Sequence, residues 1–166
     1  MAKIDYEIAG IHAQAPAEEL FFAQYRLWLA AHATQNSFYL DCAFQHLLDV
    51  SGHACAKDLY RQFRSFTLTL LAQSRRAIGW RAFGCRCLGR DELLALKLVS
   101  ASQNEDAGEE DMAAAELLAC AHVRPLVNSS RLLAQTLVAA GFVLAPVEKY
   151  AVAAALPPDP WGQSLH

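Results

Sequence analysis

Between Ala54 and Ala77, Leu59, Phe63, Phe66 and Leu70 recur every third or fourth position, and Tyr60, Thr67 and Leu71 keep the same rhythm beside them. That spacing follows the turn of an α-helix and cannot line one face of a strand, so the segment is committed to an amphipathic helix. Lys57, Arg61 and Arg64 fall on its other side. The rest of the chain agrees. Hydrophobic residues make up 54%, above the ~45–50% usual for globular proteins. Much of the excess is alanine, in runs such as Ala113–Ala115 and Ala153–Ala155. Alanine is the best helix former, whereas the β-branched residues that favour strands are scarce. The expected class is all-α.

Helix signals divide the chain. Pro16 followed by Glu18 and Glu19 opens a first helix that runs to about Ala33, because proline suits the first position and acids complement the dipole. Asn36 or Ser37 can cap a second helix through Val50, stopped by Ser51-Gly52, and the third covers 54–77. Gly79, Gly84 and Gly89 mark a loop that Trp80 and Phe83 can pin down. A fourth helix starts near Arg90 and carries Leu93, Leu94, Leu96 and Leu98. Its N-terminus has Gly89 with Glu92 three residues later, a capping box without the usual Ser or Thr. The acidic run 104–111 is expected as a mobile loop that also begins a fifth helix, ending near Val123. A sixth, about 126–140, stops at Gly141.

The 166 residues therefore read as a leader (1–15), a single helical domain (16–145) built as a bundle of five or six helices, and an extended Pro-rich C-terminal arm (146–166). In that arm Trp161 can serve as an anchor, docking back onto the domain or onto a partner.

Several classes are disfavoured. No apolar run reaches the ~18 residues of a membrane span, and the N-terminus lacks a signal segment, so the expected location is cytoplasmic. Five cysteines, an odd number without an export signal, point to thiols rather than a disulfide framework. No nucleophile elbow, P-loop, H-E-x-x-H or dinucleotide turn is present. The residues lean away from an enzyme without excluding one.

Two features hint at function. The first is charge. Residues 57–90 carry eight basic side chains (Lys57, Arg61, Arg64, Arg75, Arg76, Arg81, Arg86 and Arg90) against Asp58, inside a chain of net charge −3. Such a segment either pairs with acidic neighbours across the bundle or forms a patch for an acidic partner. Arg61, Arg64, Arg75 and Arg76, with Trp161, are the candidate partner-binding residues. Nucleic acid is disfavoured by a sequence pI near 6.0 and by the acidic flanks, which repel phosphate. Basic and acidic regions could also pair between copies, as a homo-oligomer.

The second feature is Phe83-Gly84-Cys85-Arg86-Cys87-Leu88-Gly89-Arg90-Asp91-Glu92. Two thiols one residue apart, among arginines and ahead of a helix N-terminus, are placed for lowered thiol pKa values or for binding zinc or another soft metal. The pair supplies two ligands where a structural zinc wants four. Cys42, His46, His53 and Cys55 form a further candidate set, although C-x3-H-x6-H-x-C matches no standard zinc spacing. His32 or His46 inside a bundle could also face a cofactor. No cofactor is predicted outright, and packing of small side chains explains these cysteines equally well.

Leu20-Phe21-Phe22 with Arg26, the stretch Leu59 to Ala72, Cys85-Arg86-Cys87 with Glu92, and the closing Leu132 to Leu144 together resemble an uncharacterised family of small helical alphaproteobacterial proteins. The resemblance spans Glu19 to about Pro146; Gly89 stands where that pattern would have a Thr cap. It implies a helical fold and names no activity. The expected function is a non-catalytic protein acting through protein–protein interaction, with regulation as a possible role. The alternatives are a thiol-based redox or metal sensor using Cys85 and Cys87, and a nucleic-acid module using 57–90.

Overall fold

A computed structural model describes residues 15–83, 85, 88–146 and 163–165. It is an all-α bundle: α1 (Pro16–Thr34), α2 (Phe38–Gln73), α3 (Arg90–Gln103), α4 (Ala107–Leu118) and α5 (Arg124–Ala139). Two short segments pair antiparallel, β1 (Ile78–Trp80) with β2 (Gln163–Leu165). Among the described residues no helix is long and apolar enough to cross a membrane.

Pro16 opens α1 and Gln35 closes it in the left-handed conformation. The second and third expected helices follow one another in α2 and meet at Gly52, whose backbone is non-helical (φ 74°, ψ 170°), at the break that Ser51-Gly52 predicts. That backbone region is essentially open to glycine alone, so the chain turns there before the helix resumes. A Cβ at Gly52 would meet nothing within 4 Å, so the cost of replacing it is conformational. Gly52→Ala should lower the unfolding free energy by about 1–3 kcal/mol, the range for a residue forced into a sparsely populated region. Urea denaturation checks this.

The helix also stops at Gln73 rather than 77, and Ser74 is extended. The fifth predicted helix ends at Leu118, with Ala119 left-handed, and α5 begins at Arg124 with Pro at its start. Asp106 caps α4 by accepting the Glu109 N–H at 3.1 Å, so the acidic run begins a helix as expected. The leader before Ala15 and most of the C-terminal arm, Trp161 included, lie outside the described residues.

The core forms where α1 meets α2. Phe21 is fully buried, its ring centroid 5.9–6.4 Å from those of Phe22, Tyr25, Phe63 and Phe66. Ser65 of α2 meets Ser129 of α5 at 3.3 Å, and the Arg75 N–H, just past α2, donates to the carbonyl of Leu118, the last residue of α4. After α5 the segment 142–145 is fastened by side chains. Gln103 donates to Phe142 O and accepts from the Leu144 N–H, Ser100 donates to Ala145 O, and the buried Glu18 accepts the Ala145 N–H at 3.0 Å. These side chains supply partners that a strand would find in a sheet.

Candidate functional site

The α3 N-terminus carries the densest charge in the interior. With Gly89 as N-cap, Asp91 and Glu92 occupy the second and third helical positions, where free N–H groups and the dipole favour carboxylates. Glu92 reaches back to the Gly89 N–H at 2.8 Å. Glycine has no side chain to return the bond, so this is half of a capping box.

The rest of each carboxylate meets an arginine. Glu92, fully buried, accepts from Arg26 Nε at 2.6 Å and Arg26 Nη2 at 3.0 Å, and also from the Arg81 N–H at 3.1 Å. Arg26 Nη1 donates to the Cys85 carbonyl. Asp91 accepts from Arg76 at 2.8 and 2.6 Å and from the Gly79 N–H at 2.6 Å. Tyr25, one residue from Arg26, donates its hydroxyl to Gly79 O at 3.2 Å.

Adjacent side chains of α1 and α3 thus hold both ends of the 78–89 connection. Two bidentate arginine–carboxylate pairs form a clamp, with shape specificity as well as charge. Its electrostatics follow from burial. The Tyr25 hydroxyl is pushed well above its ordinary range by desolvation first, then by the negative field of Asp91 and Glu92. The hydrogen bond to Asp91 raises Arg76 above its usual value. Tyr25 therefore stays a neutral donor, and both carboxylates are occupied by guanidinium and backbone N–H groups. The cluster positions a turn; it offers no unengaged base or nucleophile.

The turn is the predicted cysteine site. Cys85 is half-buried, its N–H bonded to Ala82 O at 3.0 Å, and Phe83 nearby is exposed. Gly84, Arg86 and Cys87 lie outside the described residues, so the Cys85–Cys87 pair is placed only in part. Among the described residues no three His, Cys, Asp or Glu side chains are grouped to hold a metal ion. Cys42, His46, His53 and Cys55 are accordingly not brought into one ligand set. His46 Nδ1 instead lies 3.2 Å from the Gln24 amide nitrogen, and His53 is exposed next to the Gly52 kink.

The candidate partner-binding arginines separate into two kinds. Arg76 holds Asp91 with its guanidinium and belongs to the clamp, its side chain still 29% exposed. Arg61 and Arg64 are exposed on α2 with Lys57, four and three residues apart, on one face of the helix. Arg61 touches only Asp58, an exposed pair at 2.6 Å that is worth little. Neither Lys57 nor Arg64 has an ion-pair partner among the described residues, and Leu68 continues the face, itself partly exposed. Arg75 is exposed past the end of the helix.

A cavity of about 590 Å³ lies between the end of α3, α4 and α5, lined by Ser102, Glu105, Glu110, Arg131, Gln135 and Val138. The charge at its floor is already matched, since the buried Glu110 is held by Arg131 through 2.9, 3.1 and 2.5 Å bonds. It reads as a brace between α4 and α5.

Sequence reasoning did not foresee the clamp. The signal was present in Arg26, the one charged residue within the run Leu20–Ala31, and in the acid pair opening α3. Comparison of the chain with protein-family models, with curated proteins and with solved structures finds no match in any of the three.

Proposed function

We propose that the chain is a cytoplasmic, non-catalytic interaction domain that docks an acidic protein surface on the outer face of α2 between Lys57 and Leu68. One observation carries this reading. In a segment rich in arginine, Arg76 pairs with Asp91 and Arg90 with Glu116, while Lys57, Arg61 and Arg64 share an exposed face on which Asp58 pairs with Arg61. A cationic stripe next to an apolar side chain gives an acidic partner both steering and a contact from which water is excluded.

A photo-activated cross-linker in place of Leu68, used in the native cell, tests the reading. The expected result is one trapped protein species with an acidic surface, absent when the cross-linker replaces Met112, which is exposed on α4. Equal labelling at the two positions contradicts it.

A further inference from the structure

The part of α2 before the kink is held differently from the part after it. Across residues 38–51 only Ala43 and Leu47 are fully buried, whereas residues 53–73 bury Ala56, Leu59, Phe63, Phe66, Thr67 and Leu70. Tyr39, Leu40, Cys42, Phe44 and Leu48 of the first part also pack against the core, but only half-buried, and a segment with fewer fully buried side chains opens locally before the rest of the fold. The glycine-only geometry at Gly52 supplies a hinge between the two parts.

The polar contact that closes the first part onto α1 is made by Gln24, whose side chain is fully buried. Its Nε2 donates to Ala43 O at 3.0 Å and lies 3.2 Å from His46 Nδ1. An amide nitrogen only donates and a carbonyl oxygen only accepts, so the amide orientation is set by Ala43 O. His46 Nδ1 must then be the acceptor, which requires the neutral ring carrying its proton on Nε2. Turning the amide to accept from a protonated Nδ1 would set Gln24 Oε1 against Ala43 O. No orientation of Gln24 serves both Ala43 and a charged His46. Gln24 Oε1 is already buried without a hydrogen-bond partner among the described residues, so the amide depends on its two donations.

We propose that Gln24 and His46 form a proton-sensitive latch that holds residues 38–51 of α2 against α1, with Gly52 as the hinge about which they move when the latch is protonated. Burial lowers the His46 pKa below its ordinary 6.5, and Asp49, one turn further on, partly opposes this. Asp49 is the charged group that bears on the ring, and it is itself bonded to Gln45; the group facing from α1 is the uncharged Gln24 amide. The sign follows. A histidine whose folded pKa is depressed contributes its stabilisation in full above about 6.5, and loses it as pH falls through the lower folded value. The latch is closed at neutral pH and opens on acidification. This inference does not depend on the docking face after the kink.

Hydrogen exchange and histidine NMR titration of the full chain test it. The His46 ring should titrate below 6.5. Between pH 7.5 and 5.0, protection of the 42–50 amides, corrected for intrinsic exchange, should fall by more than about twofold, while that of 59–70 should change less than about twofold. In His46→Leu the pH dependence of 42–50 should vanish. Titration at or above 6.5, or equal pH dependence in both parts of α2, overturns the latch. Both readings come from the unaltered protein, so the test stands even if the variant does not fold.

Discussion

Glu92→Ala should lower the unfolding free energy by about 3–5 kcal/mol, the range for removing one partner of a buried ion pair. The mechanism is the charge left behind. Arg26 is 4% exposed, so its guanidinium cannot recover water once Glu92 is gone. The N–H groups of Arg81 and Gly89, both half-buried, lose their acceptor in the same step, which adds to the loss. Against a typical total stability of about 5–15 kcal/mol, this one change removes a large fraction. Arg26→Met/Glu92→Met should cost clearly less than Glu92→Ala, because no charge is stranded. Urea denaturation of the three proteins decides it: a single-mutant loss under about 1 kcal/mol would mean that solvent reaches the pair and that the clamp does not hold the turn.

Phe21→Ala should be comparably severe, at about 3–5 kcal/mol. The ring is fully buried, and its neighbours come from α1 (Phe22, Tyr25) and from α2 beyond the kink (Phe63, Phe66). Those neighbours are themselves buried and belong to two rigid helices, so they can only partly close on the space left. Phe21→Leu keeps most of the volume and should cost less than about 1.5 kcal/mol. Phe83→Ala gives the contrast: that ring is 57% exposed, and its loss should stay within about 0.5 kcal/mol. Thermal and urea unfolding of the three variants would separate core from surface; similar losses for Phe21→Ala and Phe83→Ala would contradict this placement of the core.

The helices were legible because their signals are local. Pro16 with its acids, the acidic run that opens α4 and the periodicity of 59–70 each act within a turn or two of chain. Gly52 was legible as the break between two helices, because Ser51-Gly52 is itself a local stop signal. The clamp was hidden because it is long-range: Arg26 and Glu92 are 66 residues apart, and nothing local shows that an arginine on an apolar helix meets a carboxylate at another helix's start. Arg76 and Arg61 look alike in sequence, and only the fold tells that one faces Asp91 and the other faces water. The histidine latch rests on the direction of an amide, which no pattern of residue types encodes.

The division of the basic segment into arginines that build the fold and cations that face outward is most directly tested by Arg61→Glu/Arg64→Glu. Trapping by the cross-linker at position 68 and the melting temperature should be measured together on this variant and on the unaltered charge pattern. Both side chains are exposed, so the melting temperature should stay within about 2 °C, since surface substitutions seldom exceed about 0.5 kcal/mol. The trapped partner should be lost at physiological salt. Undiminished trapping by the charge-reversed protein, or a large fall in its melting temperature, would contradict the assignment of this face to partner docking.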